Sequence, residues 1–371
     1  MQAGSGLNGG VSSNGSGNSA LNNRQAYLSF GDKSWGSIKL GKDLGIFASD
    51  AILNDMTLLG VGGNPAAAAG LTTLGRIGNG LVYADWKGQA AYTTPNMNGF
   101  QATVGLTQAF DATSSTGAGS SGTYSYDQNN LFTFSPVLTD GTAITISGKN
   151  YVVKASGGSF SLEYNGSPAL PSDLPGSMTG TYTTGSTSAV SGTYKGQLGY
   201  EGKASYSFAE DNVNGEIWVS GIAQRIKGTS DSVASAFDIG ANVNFAGNVG
   251  LTGYYYEGNG IGTTHQFKDG YSTNGRARDS VGGYVQATTI LPTETKVGLS
   301  WGVSNLKLAG DETTNSMASL VKENEMLTVG AYHPRTKHLN LVAEYSRTES
   351  QNQAGARNKG QTVSLGAILF F

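Results

Sequence analysis

Hydrophobic and polar residues alternate with a period of two along much of this chain. In GFQATVGLTQA, Phe100, Ala102, Val104 and Leu106 fall on one face, with Gln101, Thr103, Gly105 and Thr107 on the other. In QLGYEGKASYSF, Leu198, Tyr200, Ala204, Tyr206 and Phe208 oppose Glu201, Lys203, Ser205 and Ser207. AFDIGANVNF, TKVGLSWGVS and HLNLVAEYS follow the same rule. Period two means extended backbone, because successive strand side chains point to opposite faces. The runs are about ten residues long, beyond the five or six usual in soluble sheets and suited to a tilted strand crossing a bilayer. Aromatic residues mark strand ends at Phe208, Phe245, Tyr255, Tyr345 and Phe371, where a barrel carries its interfacial girdles.

The pattern predicts about thirteen strands. They lie near residues 24–31, 35–41, 79–94, 99–109, 194–209, 213–226, 235–246, 247–256, 281–290, 294–304, 326–333, 337–347 and 361–371. Connections are short at GDKS, PNMN, DNV, LPTE and HPRTK, with a near-immediate reversal at AGN. They are long at 42–78, 110–193, 257–280, 305–325 and 348–360, with a shorter one at 227–234. Short and long alternate throughout, as periplasmic turns and external loops do in outer-membrane barrels. With the last strand descending, an even-stranded barrel needs an odd number of strands ahead of the first, and three more would make about sixteen. The expected fold is all-β: a transmembrane antiparallel β-barrel of 16 strands in the full protein, about 13 of them in this chain.

Composition removes the competing classes. Of 371 residues, 38% are hydrophobic and 13% charged, with 56 Gly, 18 Tyr, 13 Phe and 4 Trp, too aromatic for a disordered chain. A net charge of −3 offers no basic face to nucleic acid, which is not an expected partner. No run approaches the eighteen or so apolar residues of a membrane helix, whereas alternating barrel strands average to a near-neutral hydropathy, here −0.23. Cysteine is absent and the three His, at 265, 333 and 338, lack metal-ligand spacing. Neither an enzyme nor a cofactor or metal site is expected.

NNRQAYLSFGDKSWGSIKLGKDLG resembles the strand-turn-strand signature of the Gram-negative trimeric porins, and AAYTTPNMNGFQATVGL resembles that family's strand running through Tyr and Pro into a turn and Gly-Phe. The resemblance implies an outer-membrane channel for passive diffusion of ions and small hydrophilic solutes. Its implied partners are outer-membrane lipid and lipopolysaccharide, two further copies in a homotrimer, and the barrel-assembly machinery, which would read Phe371 as an assembly signal. It also implies strands ahead of Asn23-Arg24-Gln25, where only MQAGSGLNGG stands, so residues 1–371 are expected to be an N-terminally truncated barrel. A substrate-selective channel of the same fold for sugars or organic anions, and a surface adhesin built as a β-solenoid, are the alternatives.

The resemblance makes residues 42–78 the third external loop, folded inward as a pore constriction. Ile52, Leu53, Met56 and Leu59 repeat at helical spacing, so a short helix is expected to pack that stripe on the wall and leave Asp50 and Asp55 to the channel. Lys39 and Arg76 are the expected facing bases, with Glu201, Lys203, Lys296, Glu344 and Tyr83 also in lumen phase. The bland reading makes Asp50 a helix N-cap and Asp55 a solvated acid. Arg24 is expected to snorkel at a strand end. The 110–193 connection is expected to be a large external loop, its middle, TAITISGKNYVVKASGGSFSLEYNG, a possible small β-meander.

Overall fold

The computed structural model describes residues 2–3, 21–22, 24–60, 75–112, 121–126, 132–135, 143–146, 149–156, 159–164, 167–169, 179–184, 198–227, 231–272, 274–314, 317–318 and 320–370. The described chain is all-β and divides into two units, residues 1–114, 190–311 and 321–371 in one and 115–189 with 312–320 in the other.

The first unit is a sheet of thirteen strands. In chain order these are β1 (Ala26–Asp32), β2 (Gly36–Leu44), β3 (Trp86–Thr93), β4 (Phe100–Gln108), β5 (Leu198–Glu210), β6 (Val213–Lys227), β7 (Asp231–Phe245), β8 (Val249–Asn259), β9 (Asp279–Ile290), β10 (Lys296–Leu306), β11 (Val321–Thr336), β12 (Leu339–Asn352) and β13 (Arg357–Leu369). Each pairs antiparallel with its chain neighbours, so the sheet is one uninterrupted meander from β1 to β13. Continuous antiparallel pairing rules out the solenoid, whose strands stack with a fixed repeat.

Faces are inverted relative to a water-soluble sheet. The apolar set points outward and is exposed: Val104 60%, Tyr200 63%, Phe237 52%, Leu299 50%, Val363 73% and Leu365 78%. The polar set points inward and is covered: Glu201, Ser220, Gln224, Asp238, Ser300, Thr328 and Glu344 are all buried. Register keeps this strict, since a one-residue slip would turn every side chain over. Tyr200 lies opposite Ala223 and Glu201 opposite Ile222, and the same phase passes on to Phe237 against Gly221.

Several strands outrun their expected limits. β11 covers 321–336 and β12 covers 339–352, because backbone pairing continues into the Glu, Lys, Asn and Ser-rich extensions beyond the apolar core of each strand. β3 is shorter than expected, beginning only at Trp86, because residues 79–85 leave the wall.

The second unit is a seven-stranded sheet of Ser121–Tyr126, Phe132–Ser135, Ala143–Ile146, Lys149–Ser156, Ser159–Tyr164, Ser167–Pro168 and Thr179–Thr184. Lys149–Ser156 pairs with both Ala143–Ile146 and Ser159–Tyr164, which joins six of the seven strands into a ring of pairings. Tyr124, Phe132, Phe134, Ile144, Ile146, Tyr151, Val153 and Leu162 form its buried core.

Candidate functional site

Of the connection between β2 and β3, residues 45–60 and 75–85 lie on the inner face of the sheet, pinned to one strand after another. Glu201 on β5 accepts from the Ile46 and Phe47 amides at 2.7 and 2.9 Å. Ser220 on β6 and Asp238 on β7 each accept from the Ala48 amide at 3.2 Å. Tyr284 on β9 donates to the Ala51 carbonyl at 2.6 Å, and Gln286 clasps the Asn54 carbonyl and the Met56 amide at 2.9 and 2.8 Å. On the return limb, Ser304 of β10 accepts from the Gly80 amide at 2.9 Å and the Met326 carbonyl of β11 from Arg76 at 3.0 Å. A Cβ at Gly60 would come within 2.5 Å of Glu344 on β12, so the chain lies directly on that carboxylate. These inward polar groups of the wall are the loop's hydrogen-bonding partners, which is why they tolerate burial.

A helix forms within this segment but stays short. It is α1 (Ser49–Leu53), five residues with Ala48 as N-cap at φ 62° and Asn54 as C-cap. Gln286 takes the carbonyl and amide on either side of Asp55, replacing the bonds that another helical turn would have made. The expected apolar stripe is therefore divided. Ile52 and Met56 are buried against the wall, while Leu53 and Leu59 are 58% and 46% exposed.

The acidic residues of the loop are paired. Asp50, in the first turn of α1, receives Lys203 of β5 at 2.9 Å, with Lys203 partly exposed. Asp55 faces Arg76 of the same loop at 3.8 Å, both buried, and accepts from the Thr57 hydroxyl at 2.7 Å. Burial pushes the Asp55 carboxyl above its ordinary value, and the Arg76 guanidinium works against that shift. Glu201 is saturated: besides the two loop amides it accepts from Thr107 at 3.1 Å and pairs with Lys87 of β3, whose side chain is fully buried. Glu344 accepts from the Tyr332 hydroxyl at 2.6 Å.

Of the residues singled out in the sequence, the fold brings Asp50 to Lys203 and Asp55 to Arg76 and places Glu201 and Glu344 on the same seam. Lys39 is elsewhere, paired with Asp43 four residues along β2 and lying 4.9 Å from the Tyr27 ring. Lys296 stands exposed at the start of β10. Tyr83 sits on the loop's return limb and not on a strand; burial pushes its phenol up to about 12. Arg24 lies over the Trp86 ring at 5.6 Å. Phe371 and residues 61–74 of the loop lie outside the described residues.

A second inward segment carries no signal in the alternation. Residues 260–272, expected to be part of an external loop, bury Ile261, Gln266 and Phe267 completely and His265 and Tyr271 nearly so. The Tyr83 amide donates to the Thr264 carbonyl at 2.8 Å, and Gln266 to the Ala84 carbonyl at 3.1 Å. Ile261, Phe267 and Tyr271 join Phe47, Ile52, Ile77, Leu81 and Tyr254 in one apolar cluster. The readable clue is this large apolar triplet inside an otherwise Gly- and Thr-containing polar stretch.

What the molecule presents outward is thus apolar wall, and what it covers is a polar lining crossed by a loop. No helix among the described residues is long and apolar enough to cross a membrane. The chain belongs to the Gram-negative porin family, whose model matches residues 2–353. It is therefore an outer-membrane channel protein of β-barrel fold, and the family comprises channels and not enzymes. No curated protein matches the chain. Among solved structures, the outer membrane channel DcaP of Acinetobacter baumannii is similar at 12% identity over 90% of this chain and 71% of its own, with a TM-score of 0.51. An anion-selective porin from Comamonas acidovorans matches at 14% identity over 94% and 78%, TM-score 0.47. OmpT of Vibrio cholerae matches at 9% over 94% and 81%, TM-score 0.45. At 12% identity the likeness to DcaP is one of fold alone.

Proposed function

We propose that this protein forms a water-filled channel passing ions and small hydrophilic solutes by passive diffusion, in a homotrimer set in lipid and lipopolysaccharide, after insertion by the barrel-assembly machinery. The observation carrying this reading is the inverted sheet, apolar outward and polar inward, with residues 45–60 and 75–85 laid across its inner face. Thirteen antiparallel strands make an odd number, and the family's closed wall is proposed to hold about sixteen. In this reading the connection between β2 and β3 is the constriction, and the 115–189 unit is an insertion between β4 and β5.

Roles divide by exposure. Lys203, partly exposed, with its buried partner Asp50, is the charge a solute meets; Asp55, Arg76, Glu201 and Lys87, all buried, hold the loop in place. Tyr27, Ser29, Lys39, Gln101, Thr103 and Ser205 share the inner face of β1, β2, β4 and β5 and stay at least partly exposed, giving the solute its opposite wall. Ions shed part of their hydration at such a point, and fixed charges act there in a reduced effective dielectric.

Selective passage of sugars is the second reading, favoured by an uncharged amide and hydroxyl chain. Asn244 donates to Asn214 and Asn242 at 3.3 and 3.0 Å, Asn242 to Thr252 at 2.8 Å, and Gln286 to Thr252 at 3.1 Å. Single-channel recording of the full-length protein in a planar bilayer tests both. Ohmic steps in threes, with a reversal potential moved by Asp50→Asn, fit the diffusion channel; saturable block by a neutral oligosaccharide fits the selective one. A folded, bilayer-inserted protein without conductance overturns the channel.

A further inference from the structure

Residues 260–272 are packed as an internal element. The Gly260 and Arg278 backbones close its neck, Gly260 N to Arg278 O at 2.9 Å and Arg278 N to Gly270 O at 2.7 Å. Inside the neck, Phe267 N returns to Ile261 O at 2.7 Å. Gly262 has φ 78°, and a Cβ there would lie 2.0 Å from the Lys268 carbonyl, so the turn depends on glycine. Ser232 of β7 donates to the Tyr271 hydroxyl at 3.1 Å, fixing the segment to the wall.

We propose that residues 260–272 form a second pore-narrowing loop, which buttresses the return limb of residues 45–85 and sets the channel's width together with it. This rests on the channel reading above. The two segments meet where Tyr83 and Ala84 run beside Thr264, His265 and Gln266, with the Tyr83 and His265 rings 5.8 Å apart. That seam lies on the return limb, away from the Asp50–Lys203 pair, so the first limb presents the charge and the joined second limb fills space. An external loop would have no reason to bury Ile261, Gln266 and Phe267 fully, since solvent is freely available above a barrel rim. The seam is also imperfectly satisfied: Asp85 Oδ2 and His265 Nδ1 are buried without a hydrogen-bond partner. Such groups weaken the element that holds them, so this contact can open at a modest cost.

Two variants of the full-length protein test the proposal in planar bilayers. Replacing residues 263–268 with a short Gly-Ser link removes the buried tip, and single-channel conductance is expected to rise roughly twofold, with larger sugars admitted in liposome swelling. Tyr83→Cys with His265→Cys, in a chain without native cysteine, allows the seam to be closed by oxidation and freed by reduction in one molecule. The oxidised channel is expected to be quiet at wild-type conductance and the reduced one to show added upward fluctuations. A folded short-loop protein that conducts like wild type, or a cysteine pair indifferent to redox state, overturns the second narrowing loop. Should the short-loop variant not fold, the cysteine pair decides alone. Absence of conductance in the wild type would instead overturn the channel reading on which the proposal stands.

Discussion

The two large sheets of this chain use the same alternation and bury opposite faces. In the 115–189 unit the apolar residues go inside: Val153 is fully buried, Ile144, Tyr151 and Leu162 nearly so, and Thr123, Thr133 and Ser161 are exposed. In the thirteen-stranded sheet Val363 and Leu365 stand outside while Ser300 and Thr328 are covered. Period two therefore specifies a strand and its two faces, and says nothing of which face meets solvent. Strand length, loop alternation and the inverted burial together separate a wall built for lipid from a domain built for water.

The contrast is most severely broken at the buried ion pair of the lining. Lys87→Met leaves Glu201 charged, enclosed and short of a partner, and is expected to cost about 3–5 kcal/mol, read as a lowered midpoint of denaturant unfolding. Converting both residues, Lys87→Met with Glu201→Gln, should recover much of that loss. Next come substitutions at exposed positions of the two large sheets. Val329→Arg on the outer face of β11 should destabilise the protein by about 2–4 kcal/mol in bilayers. The same change at an exposed position of the other sheet, Thr133→Arg, should be nearly silent.

Acid sharpens the picture at the seam between the two inward segments. Burial lifts the Asp85 carboxyl to about 6 and, with Lys268 adding to it, lowers the His265 imidazole to about 4. Between about pH 4 and 6 the folded seam holds a proton on Asp85 that the open form gives up, so this term favours closure as pH falls. His265 does the reverse, staying neutral when closed and taking a proton when open, so the two slopes oppose. Protection factors of the Tyr83 and Phe267 amides, which remove the intrinsic pH dependence of exchange, should therefore change little with pH in the wild type. In Asp85→Asn they should fall on acidification, and in His265→Gln they should rise. Asp50→Asn should cost only about 1 kcal/mol or less, because its partner Lys203 is partly exposed, though its effect on the reversal potential should be plain.

Much of the wall was legible in advance. Strands carrying an apolar residue at every second place, such as AFDIGANVNF, reached their observed faces and pairings, because lipid and lumen impose the alternation residue by residue. β6 is less readable: Trp218, Ile222 and Ile226 lie on its inner face among the packed segments, so both faces of that strand carry apolar side chains. Pairing partners inside the lumen were harder still. Asp55 meets Arg76 across 21 positions and Lys203 reaches Asp50 across 153, contacts fixed by where a loop lands and by nothing local. Tyr83 reads as the lumen phase of a strand, yet the chain turns inward there to meet Thr264. The second inward segment was missed for the same reason, since a loop's destination is set by the wall it packs on.

Spin labels placed one at a time along 297–303 of β10 and 149–155 of the smaller sheet, with the full-length protein in bilayers, address the inversion most directly. Accessibility to oxygen, which concentrates in lipid, is compared with accessibility to an aqueous nickel chelate. Oxygen maxima are expected at Val297, Leu299, Trp301 and Val303 alternating with protected positions, while the exposed positions of the smaller sheet favour the chelate. Chelate access at those four β10 positions, equal to that at the exposed face of the smaller sheet, would mean that both sheets live in water and that the lipid-facing wall is wrong.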